Sequence, residues 1–320
     1  MSFSGCSGCD LAELVRGKES ARMTNVTEGF VPVEGGRTWY RVIGAEKKGI
    51  PLIALHGGPG LNHEYLKPLE ALADERPVIF YDQLGGGNSP APDNPRLWTI
   101  ENFTEELTRV RAALGLKKVF ILGQSWGTML AVDYMLTRKP EGVAGMILSG
   151  PCLSAAQWAD DQKIYIEELP EDIRKIIAQS EASGDFTSQN YQNAMLSFYR
   201  LHVCRLDPWP EFMSKSIEKL KFSIYLHMWG PSEFTVTGTL KGYDRVDRLG
   251  EIQTPVLFTC GRFDEASPAA TALYHQAWPG SEMRIFEDAS HSHHIEKADE
   301  YMRAARDFMK RQEEKVSKNL

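Results

Sequence analysis

Val119-Phe120-Ile121-Leu122-Gly123-Gln124-Ser125-Trp126-Gly127-Thr128-Met129-Leu130-Ala131-Val132 is the stretch on which the fold turns. An apolar run, a small polar bend and then apolar residues at helical spacing through Met129 and Val132 to Leu136 read as strand, sharp turn and helix. The bend is a Gly-x-Ser-x-Gly motif, and a strand before it and a helix after it are the context that gives this motif meaning. Its glycines let the chain turn without a Cβ clash. The turn is expected to raise the Ser125 hydroxyl above the sheet edge, with a helix N-terminus behind it to favour developing negative charge. An ordinary strand-to-helix turn could carry the same five residues, so the rest of the chain has to decide.

Working outward, Leu52 to Leu55, Val78 to Tyr81 and Met146 to Leu148 are further short apolar runs, each ending in a Gly-rich or polar turn, as suits strands buried on both faces. Phe30 to Val33, the Gly35-Gly36 turn and Thr38 to Ile43 read as a hairpin that opens the domain with two antiparallel strands. Leu107, Val110 and Leu114 share one helical face between the second and third buried runs. Strand alternating with helix predicts an α/β fold with a mainly parallel sheet covered on both sides. The alternation breaks at Gly150-Pro151 and resumes with Pro255 to Cys260, a last strand near Met283 to Phe286 and an amphipathic helix through Tyr301, Ala305, Phe308 and Met309. The division expected is a flexible extension over residues 1–28, a core of 29–150 and 238–320, and a helical cap over 151–237.

The 320 residues are twice the roughly 150 of an average domain, which suits a core with an insertion. With 42% hydrophobic and 25% charged residues the chain can build a sizeable core. The net charge of -7 gives no uniform basic field, so nucleic acid and membrane surfaces are not expected partners. No apolar run reaches the roughly 18 residues of a membrane span and the start lacks the pattern of a secretory signal, so a cytoplasmic location is expected. The five cysteines, odd in number, fit reduced thiols. Cys6 and Cys9 form a Cys-x-x-Cys pair, but in a Ser/Gly-rich leader without a second pair.

A serine needs a base, and the base needs an orienting carboxylate; in this topology the order along the chain is Ser, acid, His. Of eight histidines, the last four follow a plausible acid. Asp264 stands just beyond the resumed strand, and His291 comes first in the loop after the last one, so Ser125, Asp264 and His291 are the expected triad. The cluster His291, His293 and His294 also resembles metal-ligand material, but no Cys or separated His pair completes it; neither metal nor cofactor is expected. Oxyanion donors are expected from the backbone of Trp126, which follows the nucleophile, and of Gly58 in His56-Gly57-Gly58-Pro59-Gly60.

Together these pieces, with Tyr81-Asp82-Gln83-Leu84-Gly85-Gly86-Gly87-Asn88-Ser89 and Gly230-Pro231-Ser232-Glu233-Phe234, resemble the proline iminopeptidases (prolyl aminopeptidases) of the α/β-hydrolase superfamily over residues 29–315. The resemblance implies the same triad and oxyanion donors, and a serine exopeptidase that releases N-terminal proline, with small peptides or amino-acid amides as substrates. It further assigns Glu233 and Glu265 to the substrate's amino group, with Tyr225 assisting. Two carboxylates suit a cationic amine beside the scissile carbonyl through charge-assisted hydrogen bonds. The chain departs from the family at the elbow, where Gln124 and Trp126 flank Ser125, and at Gly86, where many relatives have Cys. Trp126 alters the wall beside the acyl pocket, which bears on strictness for proline.

The rival readings are an amino-acid amidase or arylamidase with the same triad, a small-ester hydrolase, and a silent binding protein on a hydrolase fold. The paired glutamates speak against the ester reading, and the presence of Ser125 and His291 speaks against the silent one.

Overall fold

The computed structural model describes residues 25–318; Cys6, Cys9 and the rest of residues 1–24 lie outside it. Eight strands form one sheet: β1 (Val26–Val33), β2 (Gly36–Ile43), β3 (Leu52–Leu55), β4 (Val78–Tyr81), β5 (Val119–Gln124), β6 (Val143–Ser149), β7 (Val256–Gly261) and β8 (Glu282–Phe286). Their order is β1-β2-β4-β3-β5-β6-β7-β8. β1 and β2 pair antiparallel, as does β2 with β4, and every pairing from β4 through β3 to β8 is parallel. The first strand starts at Val26, opposite Ile43, so residues 26–28 belong to the sheet and not to the extension assigned above. This end is an edge strand whose first three residues are exposed, and its polar alternation hides it from a search for apolar runs.

Every residue of β3, β4, β5 and β7 is buried, which is what helices on both faces require. Because strand side chains alternate, one chain segment feeds two cores. Ile53, Leu55, Ile79 and Ile121 share a core with α1 (Ile100–Ala113) and α2 (Trp126–Arg138), which α8 (Pro268–Ala277) continues over β7 with Ala270 and Tyr274. Leu52, Ala54, Val78, Phe80 and Leu122 face the other way, towards a 3-10 segment at Glu64–Asp74 and α9 (Ala298–Lys318). Each fully buried aliphatic side chain contributes roughly 1.5–3 kcal/mol, so both halves of the pleat hold the sheet. The Glu64–Asp74 segment was absent from the sequence reading; Pro68 inside it cannot donate a backbone hydrogen bond, and the turn stays tight.

Between β6 and β7 the chain forms α3 (Ala155–Glu167), α4 (Glu171–Ser183), α5 (Gln189–His202), α6 (Glu211–Glu218) and α7 (Phe222–Met228), with no strand. Ser154 and Ser188 cap the starts of α3 and α5 by accepting from Gln157 and Tyr191 N–H. These helices carry a small core of their own around Leu169, Ile177, Tyr191, Phe198 and Phe234. They dock through α6: Asn62 Nδ2 donates to Ser216 O (2.9 Å), and Ser216 Oγ donates back to Asn62 Oδ1 (3.0 Å). The layer thus lies over the carboxyl ends of the parallel strands, where open α/β sheets place their ligand crevice.

Candidate active site

Ser125 ends β5 and starts α2 at φ 54°, ψ −124°, a backbone conformation that costs a non-glycine residue of order 1–3 kcal/mol. Hydrogen bonds hold it there: its N–H donates to Ser149 O (2.9 Å), and Thr128 donates to its carbonyl from both N–H (2.8 Å) and Oγ1 (2.6 Å). Close approach explains one neighbouring glycine, since a Cβ on Gly127 would lie 2.2 Å from Leu55 O.

His291 sits in the loop after β8 and Asp264 in the loop after β7. His291 Nδ1 is 2.7 Å from Asp264 Oδ1, and the carboxylate also accepts from Ala266 N–H (2.8 Å) and Gly261 N–H (3.2 Å). Burial opposes ionisation of Asp264, but the charge and hydrogen bond of His291 win and hold it down at about 2. Burial likewise works against protonation of His291, and the Asp264 charge more than offsets it, so His291 is raised. Its other nitrogen, Nε2, has no hydrogen-bond partner among the described residues and faces the same cavity as Ser125. An open serine–histidine hydrogen bond is common before substrate binds. The other two histidines do not line the cavity, although His293 Nδ1 lies 3.5 Å from Asp264 Oδ2. His293 Nε2 meets the hydroxyls of Ser149 (2.9 Å) and Thr259 (3.0 Å), and His294 Nε2 donates to Tyr65 O (3.2 Å), burial keeping its ring neutral by lowering it to about 3. Among the described residues no three His, Cys, Asp or Glu are grouped to hold a metal.

Glu265, next to Asp264, is buried with both carboxylate oxygens unpartnered, and Oε1 lies 3.6 Å from His291 Nε2. Glu233 comes from beyond α7 into the same cavity. Burial first, then the charges of Glu233 and Asp264, push Glu265 well above the carboxylate range. Glu233 is also raised by burial, against the pull of His291 and Tyr225. The Tyr225 hydroxyl is buried beside this pair and completes no hydrogen bond of good geometry. Two buried acids this close resist ionising together until a cation arrives to share the charge.

Gly58, Ser125, Tyr225, Glu233, Glu265 and His291 therefore line one cavity of about 350 Å³. Trp126, the first residue of α2, leaves its N–H without a partner inside the helix. With Gly58, Ser125, Cys152, Trp158 and Trp229 it walls a narrow, mostly apolar recess beside the serine. Its indole N–H donates to Gln83 Oε1 (2.7 Å), which fixes that wall.

A family model described as alpha/beta hydrolase fold matches residues 50–298. The chain is 45% identical to a proline iminopeptidase of Heyndrickxia coagulans over 284 residues, 88% of this chain and 98% of the relative. It belongs to the proline iminopeptidase family. Within that family, the crystal structure of the Mycobacterium smegmatis proline iminopeptidase superposes with a TM-score of 0.83 at 33% identity, covering 91% of this chain and 100% of that one. The crystal structure of VinJ gives 0.86 at 33% identity, over 89% and 99%.

Sequence reading of this family member missed residues that position the site from a distance. Trp158 Nε1 (2.8 Å) and Trp229 Nε1 (3.3 Å) donate to Glu233 O, while Glu233 N–H donates to Tyr199 OH (3.2 Å). Tyr65 OH accepts from Gly57 N–H (2.6 Å) and donates to Gln124 Oε1 (2.5 Å), and Gln124 Nε2 donates to His291 O (3.4 Å). Gln124, a departure in the motif, thus ties the elbow to the glycine loop and the histidine loop. The C-terminal turn of α5 is joined to the loops that carry Asp264 and His291: His202 O accepts from His291 N–H (3.0 Å) and Glu265 N–H (3.3 Å), and Val203 O accepts from Ser292 N–H (2.9 Å).

Proposed function

We propose that this chain is a serine exopeptidase that releases N-terminal proline from small peptides or amides. The observation that carries the reading is a pair of acids, Glu233 and the fully unpartnered Glu265, opening on the cavity that holds Ser125 and His291. In this reading the substrate's ammonium sits between the two carboxylates, with Tyr225 beside it, and the scissile carbonyl falls over Ser125. Ser125 Oγ attacks that carbonyl while its proton passes to His291 Nε2, the resulting imidazolium being stabilised by Asp264. The N–H groups of Gly58 and Trp126 hold the oxyanion. His291 returns the proton to the departing amine, the acyl-enzyme forms, and water deprotonated by His291 then releases proline and regenerates Ser125.

Residues 151–237 serve as the cap, and the core, from β1 to residue 150 and again from residue 238, supplies the triad. The buried, unpaired thiols of Cys152, Cys204 and Cys260 suit a cytoplasmic setting. The test is hydrolysis of N-terminal Pro, Ala and Leu substrates beside N-acylated Pro, with prolinamide and alaninamide to separate the amidase alternative. The reading expects proline ahead of leucine and near silence on the blocked substrate. Equal rates on free and blocked proline would refute it.

A further inference from the structure

The catalytic cavity, at about 350 Å³, has more room than an N-terminal proline fills, and its two ends differ in chemistry. All its charged side chains, Glu233, Glu265 and His291, lie at the Ser125 end. The walls running out under α5, α6 and α7 are mostly apolar, through Val203, Trp209, Met213 and Leu220, with Gln192 and Ser216 as uncharged polar interruptions. At the mouth stand Leu196, Ile217 and Phe222, which line the cavity and are also 37%, 42% and 50% exposed. No lysine or arginine lines it among the described residues. The nearest cationic side chains of α6 and the turn after it are engaged outside: Lys215 with Glu211, Lys219 with Glu64 and Lys221 with Asp93.

Resting on the peptidase reading above, we propose that this chamber receives the leaving amine and selects leaving groups that are apolar and uncharged, disfavouring dipeptides with a free α-carboxylate. Two physical arguments carry it. The carboxylate of a dipeptide is one carbon from the departing nitrogen, so it must enter the chamber close to two glutamates whose attraction is already engaged by the substrate's ammonium. With no cation to meet it, it is both desolvated and repelled. An apolar leaving group instead replaces water along the Met213 and Leu220 wall, and each buried methylene is worth roughly a fourfold gain in binding. The preferred class is therefore an N-terminal prolyl amide of an apolar amine, or a peptide whose second residue is apolar and whose terminal charge lies beyond the mouth.

The experiment compares kcat/KM for prolinamide, Pro-Gly-NH2, Pro-Leu-NH2 and free-acid Pro-Leu. Prolinamide places almost nothing in the chamber and reports the peptidase reading by itself. The expected result is Pro-Leu-NH2 ahead of Pro-Gly-NH2 by about tenfold or more and ahead of free Pro-Leu by about tenfold or more, mostly through KM. Leu196→Lys and Ile217→Lys each put a cation at the exposed mouth and are expected to narrow the amide-to-acid ratio by several-fold. That ratio is taken within one preparation, so the fraction of folded enzyme cancels. Prolinamide turnover with an amide-to-acid ratio under about threefold, or a ratio that neither lysine variant narrows, overturns this inference while sparing the peptidase reading. Inertness towards all four substrates overturns both.

Discussion

Replacing Glu265 by glutamine separates recognition of the amine from everything else the site does. The free enzyme keeps Glu265 buried, without a partner for either oxygen, and burial together with Glu233 and Asp264 raises it well above the carboxylate range. Its protonated form is thus favoured until an ammonium arrives, and a glutamine of nearly the same shape resembles that form in the empty site. Once the substrate binds, the wild-type carboxyl ionises and makes charge-assisted hydrogen bonds that an amide cannot. Their loss is worth about 1.5–3 kcal/mol, roughly a ten- to hundredfold fall in kcat/KM on free-amine substrates. A small ester without an amine never used the pair and should change by less than about threefold. Stability gives a second check. A carboxyl raised in the folded state contributes its full stability below the ordinary glutamate range and loses it as pH rises through the folded value. Glu265→Gln removes that loss, so its melting temperature should match wild type in acid and exceed it in mild alkali. Steady-state kinetics on prolinamide and an acetate ester, with thermal melts at two pH values, measure all of this. An equal slowing of both substrates would show that the carboxyl supports the triad and not the amine.

Ser125→Ala should abolish turnover with the melting temperature retained, and His291→Ala should lose nearly as much, because triad members act as a unit; a variant series in which His294→Ala silences and His291→Ala does not would reassign the base. Since Asp264 raises His291 and the base must be neutral, kcat/KM on an ester should fall as pH drops through a value above about 6.5, and Asp264→Asn should move that limb to lower pH; an unmoved limb would detach it from His291. Gly150 lies at φ 57° and a Cβ there would come within 2.6 Å of the His291 ring, so Gly150→Ala should cut kcat far more than it raises KM, as checked by saturation kinetics. Prolonged dialysis against a chelator should leave activity unchanged, and loss restored by zinc would refute a metal-free mechanism.

The central parallel strands β3, β4, β5 and β7 were legible because each is a largely apolar run ended by a turn, a signature that double burial imposes on the residues themselves. Ser125, Asp264 and His291 were legible for a related reason: each follows a strand, and the topology brings all those strand ends to one side. Val26 to Glu28 escaped because an edge strand needs few apolar residues. Pro68 disguised the Glu64–Asp74 segment, whose shape is set by packing against the sheet more than by local preference. Tyr199, Trp158 and Tyr65 act through contacts 34, 75 and 59 positions along the chain. Nothing in the local pattern distinguishes such an aromatic from any other buried one. Gln124 was noticed only as a departure; its purpose emerged with Tyr65 and His291 around it.

The hydrogen bonds from the histidine and acid loops to the carbonyls of His202 and Val203 bear on how this architecture can be rebuilt. Those carbonyls lie at the C-terminal end of α5, where a helix lacks internal donors and must find them outside. Here the donors are the amides of Glu265, His291 and Ser292. Lifting the helical layer would therefore strand both partners at once, and amide exchange at 291 and 292 should keep pace with exchange in α5. Modular exchange between relatives inherits the same constraint. A transplanted layer has to bring the last turn of its α5 together with the two loops that terminate it, because the seam between the parts runs through the chemistry and not around it.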